Sequence, residues 1–305
     1  MITHVAFDAD DTLWHSEGHY RAAQSAYETL LASYIDVADA NVHARLLDVE
    51  RRNIKRFGYG AKGMTLSMVE AAIAMTDARI SAVDIQRIVE LGVAVLEHPV
   101  ELLPGIVEAV ADVASDFTLL LITKGDLFHQ EAKIARSGLS GWFHRIEIVS
   151  EKDIPTYQRV LDEVGIEPAR FLMVGNSPGS DIAPVLALGA AAVYVPYHLL
   201  WAMEAGHGFD VTSPRLRQVT SAADIPAAVR ANSLRHDRSR WHSRRCRHLT
   251  RCAARSTLAI GPSGARHESS SFVDRFRDLA VRVCRQCETR SAQPADDGVR
   301  GAANQ

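Results

Sequence analysis

Five short apolar runs punctuate the first two-thirds of the chain, at about 3–7, 117–122, 146–149, 171–174 and 190–195. Each is bounded by charged, glycine or hydroxyl residues, the signature of buried strands. Between them the apolar spacing changes to that of helices. Pro104-Gly105 opens one helix, with Val107, Val110, Ala111 and Ala114 predicted on one face. Another runs through Glu131 to Ser137 and stops at Gly138; a third covers Ile182 to Leu188 and stops at Gly189. Strand–helix alternation of this kind predicts a parallel sheet with helices on both faces. From about Glu17 to Glu97 the pattern is helical only, with Ala23, Ala26, Tyr27, Leu30, Leu31 and Tyr34 in register. Ser81 with Asp84 predicts an N-cap before Ile85 and Ile88, and the Gly-rich stretch 57–63 divides this insert into two helical parts.

The strand ends carry the chemistry. The first run ends in Asp8-Ala9-Asp10-Asp11-Thr12. In extended chain residues i and i+2 share a side, so Asp8 and Asp10 enter one site at a strand's C-terminal end. Carboxylates this close repel unless a cation or a shared proton relieves them, and Mg²⁺ favours such oxygens. The second run ends in Thr123-Lys124-Gly125, a hydroxyl with backbone N–H groups suited to phosphate oxygens. The third is followed by Lys152, a point cation. The fourth opens into Gly175-Asn176-Ser177-Pro178-Gly179-Ser180-Asp181, an oxygen-rich loop ending on an acid. Taken singly, each segment also reads as an ordinary turn, surface lysine or helix cap.

Together, in this order, they resemble the haloacid dehalogenase superfamily of phosphohydrolases over about residues 1–230. The resemblance rests on Asp8-x-Asp10-x-Thr12, Thr123, Lys152 and Gly175-Asn176-x4-Asp181. It implies a Rossmann-like core over 1–15 and 99–231, with the insert over 16–98 acting as a helical cap. It implies Asp8 as nucleophile, Asp10 as general acid and base, and Thr123 and Lys152 as holders of the phosphoryl group. Thr12, Lys124 and Gly125 become candidate substrate contacts, and Asp8, Asp10, Asn176 and Asp181 candidate Mg²⁺ ligands. The expected activity is Mg²⁺-dependent hydrolysis of a small phosphorylated metabolite through an aspartyl-phosphate. Phosphatases of this superfamily usually carry Asp where this chain has Asn176, which keeps an oxygen but loses a charge. The dehalogenases lack the second carboxylate, so Asp10 argues for phosphate chemistry. A phosphonatase, a phosphosugar mutase and a non-catalytic phosphate-binding regulator are the alternatives.

Candidates for selectivity on the cap are Arg51, Arg52, Lys55, Arg56, Phe57, Tyr59 and Lys62, although the cluster Arg51, Arg52, Lys55 and Arg56 reads first as a solvated helix face. Trp14, His15, His198 and Trp201 are ambiguous between cleft and core. No apolar stretch reaches the ~18 residues of a membrane span, and no signal-type segment opens the chain, so a cytoplasmic enzyme is expected.

Charge sets off the end of the chain. Residues 1–231 hold 19 basic and 30 acidic residues; residues 232–305 hold 15 arginines, no lysine and 7 acids. All four cysteines lie in this tail, including Cys284 and Cys287 at CxxC spacing. Only 11 of its 74 residues are Leu, Ile, Val or Phe, too few to offset the entropy of ordering. A disordered, dispensable tail is expected, from a reading-frame change or as a basic arm for an acidic partner. Zinc or nucleic-acid binding there is the lesser reading.

Overall fold

The computed structural model describes residues 1–38, 40–204 and 208–233. Expectations for the arginine-rich tail and its cysteines lie outside the described residues. Six parallel strands, β1 (His4–Phe7), β2 (Thr118–Lys124), β3 (Arg145–Val149), β4 (Phe171–Gly175), β5 (Ala191–Tyr194) and β6 (Leu216–Gln218), form one sheet in the order β3-β2-β1-β4-β5-β6. β6 has no counterpart among the runs read from the sequence; at three residues it is too short to show a period.

Alternate strand residues feed two cores, as a period of two requires. Val5, Phe7, Leu119, Leu121, Leu172 and Val174 face α5 (Ile106–Ala114) and the helix over 225–233. Ala6, Leu120, Ile122, Phe171 and Met173 face α7 (Ile154–Val164) and α8 (Ala183–Ala187). The buried face of α5 is Ile106, Ala109, Val110 and Val113, one residue out of phase with the expected face, and Val107 is exposed. This helix is apolar nearly all round, so two registers satisfied the helical spacing equally. The helix over 225–233 runs two residues past the break in composition, and Asn232 is buried.

The insert after β1 is four helices: α1 (Glu17–Leu31), α2 (Val42–Phe57), α3 (Ala61–Met75) and α4 (Ala82–Glu97). They bury a separate core of Tyr27, Leu31, Leu46, Met68, Ala72 and Ile88. The break at 57–63 and the Ser81 cap, which accepts from Asp84 N at 3.1 Å, stand where the sequence predicts them. The break between α1 and α2 holds neither Gly nor Pro; Asn41 makes it with a left-handed φ of 48°. No described helix is long and apolar enough to cross a membrane.

Candidate active site

The sheet order sets β3, β2, β1 and β4 side by side, so their C-terminal ends form one continuous edge. Lys152 follows β3, Thr123 and Lys124 end β2, Asp8 follows β1, and Asn176 follows β4. The Asp8 amide extends the pairing by donating to Val174 O at 2.9 Å. Asp8, Asp10, Thr123, Lys124, Gly125, Lys152, Asn176 and Asp181 all line one cavity of about 180 Å³ between this edge and the insert. Thr12 is buried beneath it.

Lys152 is the electrostatic centre. It is 3% exposed, and its Nζ donates to Asp8 Oδ1 and, at 2.7 Å, to Asp181 Oδ1. Burial disfavours the ammonium, but Asp181 and Asp8 more than offset it and hold its pKa above the usual value. Three charges share the space and their sum is −1. Asp8 carries the strain: burial first, then repulsion from Asp181, pushes its pKa up against the pull of Lys152. Asp181, a candidate Mg²⁺ ligand from the sequence, is fully buried with both oxygens engaged; Oδ2 accepts from Ser177 N at 2.9 Å. Gly175 permits that approach, since a Cβ there would lie 2.3 Å from Asp181 Oδ2.

Asp10 is held differently. Its carboxylate accepts from Lys133 Nζ at 2.6 and 2.7 Å, Gln130 Nε2 at 2.9 Å and Trp14 Nε1 at 2.6 Å. Burial opposes its charge, but Lys133 and these hydrogen bonds win and hold Asp10 below the usual carboxylate range. Gln130 and Lys133 sit on α6 (Leu127–Ser137), whose amphipathic sequence gave no sign of this role beyond their i, i+3 spacing. His129, on the same helix and in the same cavity, is kept neutral: burial and the Lys133 charge push its pKa to about 4. Asp11, at a left-handed φ of 61°, accepts from the amides of Ser16 (2.8 Å) and Glu17 (3.1 Å). It thereby caps α1 and turns the chain into the insert.

The end of the Asn176 amide lies 3.2 Å from Asp8 Oδ2 and Asp10 O and 3.1 Å from Thr12 Oγ1. With its nitrogen turned inward it donates to all three. With its oxygen inward it accepts from Thr12 Oγ1 and lies beside the Asp8 and Asp10 oxygens, a cluster of the hard oxygens that Mg²⁺ takes. Among the described residues no three His, Cys, Asp or Glu side chains make a metal-binding group, so such a site draws on amide and carbonyl oxygens.

The Lys124 side chain, a candidate substrate contact, is directed elsewhere. It donates to Ser180 Oγ (2.8 Å) and pairs with Glu204 (3.3 Å) and Glu151 (3.4 Å), over the rings of Tyr59 and Trp201. Tyr59, from the insert, donates its hydroxyl to Glu151. Lys62 joins the insert to the core through Asp126 at 2.9 Å. Of the other insert candidates, Arg51, Arg52, Lys55, Arg56 and Phe57 are exposed and line no part of the cavity. Arg51 and Arg52 pair with Asp48 and Glu70 on the helix surface. Trp14 is core, His15 bonds the Tyr197 hydroxyl at 2.7 Å, and His198 packs on the Tyr197 ring. The residues the sequence reading passed over are Lys133, Gln130, His129, Glu151, Glu204 and, on the insert, Glu50.

A model of the haloacid dehalogenase-like hydrolases matches residues 2–189. A haloacid dehalogenase-like family hydrolase from Xanthomonas campestris is 53% identical over 78% of this chain and 94% of its own, with a TM-score of 0.71. Two more distant structures share the fold. A 2-haloacid dehalogenase from Pseudomonas syringae pv. tomato is 21% identical over 75% of this chain and 98% of its own, TM-score 0.50. A protein assigned as a β-phosphoglucomutase from Thermotoga maritima is 18% identical over 75% of this chain and 99% of its own, TM-score 0.52. No curated protein matches the chain. The extent of the family match and the identity to the Xanthomonas protein settle the assignment: this chain belongs to the haloacid dehalogenase-like hydrolases.

Proposed function

We propose that this hydrolase cleaves small phosphate monoesters through an aspartyl-phosphate formed on Asp8. The observation that carries the reading is Asp10, a second carboxylate in the same cavity, held by three donors two residues after Asp8. A halide leaves carbon without a proton. An alkoxide leaving phosphorus needs one, and the attacking water must lose one.

In the first half, an Asp8 oxygen attacks phosphorus while the bond to the alkoxide breaks, and Asp10 gives its proton to that oxygen. In the second half, Asp10 takes a proton from water, the hydroxide attacks phosphorus, and the bond to Asp8 breaks. The sum is ester and water to alcohol and phosphate, with Asp10 protonated again. In the free site Lys133 keeps Asp10 ionised. A phosphoryl dianion beside it adds negative charge and raises its affinity for the proton the first half requires. Lys152 is the cation for the phosphoryl oxygens; Thr123 and the backbone at Lys124 and Gly125 face the same space. Asp181 positions Lys152.

The oxygen cluster fits a hard cation. Asp8, the Asp10 carbonyl and Asn176 would hold Mg²⁺, with Asp181 nearby, and bound there it would neutralise phosphoryl charge. Hydrolysis of para-nitrophenyl phosphate tests the reading. Turnover with Mg²⁺, loss with EDTA and recovery on adding Mg²⁺ back are expected. No phosphate release from this ester or from a panel of phosphorylated metabolites would sink it.

A further inference from the structure

We propose that the alcohol half of the substrate carries a protonated amine, and that Glu50 of the insert is its seat. The inference rests on the phosphate-ester reading and names the class of ester.

The two ends of the cavity differ in charge. At the sheet end, Lys152 supplies positive charge for a phosphoryl group. At the insert end the wall includes Glu17, Tyr20, Gln24, Glu50, Ile54 and Met64, and no Lys, Arg or His of the insert lines it. The lysine and arginines of α2, at 45, 51, 52, 55 and 56, are all exposed. An ester whose leaving group carried a second anion would meet the carboxylates of Glu17 and Glu50 there and no cation of the insert.

Glu50 is 7% exposed, yet it lines this cavity. Gln24 hydrogen-bonds its carboxylate, and Glu17 repels it. Among the described residues no basic group forms an ion pair with it. Glu17 differs, because Arg21 pairs with it at 3.2 Å from outside the cavity. A nine-tenths buried carboxylate without a cation is costly, and burial together with Glu17 pushes its pKa to about 7. An ammonium arriving from the cavity relieves both burial and repulsion. Tyr59 and Trp201 do not compete for it, since the Lys124 ammonium already lies 4.4 and 5.7 Å from their ring centres. The small cavity suits a short aminoalkyl chain: anion at the sheet, cation at the insert.

The test pairs 2-aminoethyl phosphate with propyl phosphate, which match in shape and differ in the ammonium. The full-length wild-type protein with Mg²⁺ is expected to favour the amine by at least ~10-fold in kcat/KM, mostly through KM, the size of one charge-assisted hydrogen bond. In Glu50→Gln that ratio is expected to fall to about one. A wild-type ratio at or below one overturns the proposal, whether or not the variant folds. So does an unchanged ratio in a folded Glu50→Gln. If neither these esters nor para-nitrophenyl phosphate is hydrolysed, the phosphatase reading has failed, and calorimetric binding of the same two compounds decides the seat. Tighter binding of the amine, lost in Glu50→Gln, upholds it; equal binding of the two overturns it.

Discussion

The two walls of the cavity handle buried charge in opposite ways. On the sheet side each charged group is locked to a partner: Lys152 to Asp8 and Asp181, Lys133 to Asp10. On the insert side Glu50 is buried with an amide and a repelling carboxylate, while the basic residues of the same helix are solvated. The sheet wall is preorganised, with its electrostatics complete before a substrate arrives. The insert wall is incomplete, and a substrate would finish it. On the proposed reading, catalysis and selection rest on different parts of the fold, and substitutions on the two sides should differ in sign as well as size.

The largest effect belongs to Asp8. Asp8→Asn is expected to lower turnover on the order of 10³-fold or more, since an amide is a poor nucleophile toward phosphorus. Its stability is expected to stay close to wild type, because Lys152 keeps Asp181 and Asp8 is the strained member of the triad. Initial rates with a thermal melt check both. Activity above a few per cent of wild type would remove Asp8 from the nucleophile's role.

Next comes Lys152→Met, which should unfold more easily by ~3–5 kcal/mol at neutral pH. It leaves Asp8 and Asp181 buried and facing each other without the ammonium that now holds both. The folded-state pKa of Asp8, raised already, would then stand further above the unfolded one. The folded protein binds the extra proton, so stability falls as pH rises through that window. Urea unfolding at pH 5 and pH 8 should show the larger deficit at pH 8. A cost under ~1 kcal/mol at both values would mean that the triad does not organise the sheet wall.

How much of each wall could be read in the sequence follows from the same contrast. Asp8, Thr123, Lys152 and Asn176 stand just after or at the end of apolar runs, and parallel strands must bring such ends to one edge. Lys133 and Gln130 were invisible because α6 is amphipathic, and residues of this kind normally face water. Only the packing of α6 on the sheet, through Ile134, turns that face to Asp10. Glu50 was hidden by its neighbours: Arg51 and Arg52 made the segment look like a basic patch, but helix packing buries position 50 and leaves 51 and 52 outside. The break at Asn41 lacked Gly/Pro punctuation, and the strand β6 lacked length.

Glu50→Gln should act in the opposite direction to Lys152→Met. The carboxyl is raised from an ordinary 4.5 to about 7. The folded state therefore holds its proton longer than the unfolded state, and this group's contribution to stability is lost as pH rises from about 4.5 to about 7. The glutamine variant is expected to be more stable than wild type by about 1–3 kcal/mol at pH 8, and equal to it near pH 4. Melting curves across that range test this. A variant less stable than wild type at pH 8 would show that Glu50 is a satisfied structural residue, and the contrast between the walls would lose its insert half.

The smallest effect probes whether the walls are independent at all. Lys62 on α3 donates to both oxygens of Asp126, at 2.9 and 3.1 Å, and Asp126 also accepts from the His129 amide to cap α6. A link thus runs from the insert to the helix that carries Gln130 and Lys133 to Asp10. Lys62 is half exposed, so the pair is screened by solvent and salt. Asp126 keeps its capping role without it. Lys62→Ala is accordingly expected to cost under ~1 kcal/mol of stability and to change kcat/KM by no more than about threefold, with the difference fading at high salt. A loss beyond about tenfold without a matching fall in melting temperature would mean that this contact sets the Asp10 constellation. The insert would then govern catalysis as well as selection, and the division between the walls would have to be abandoned.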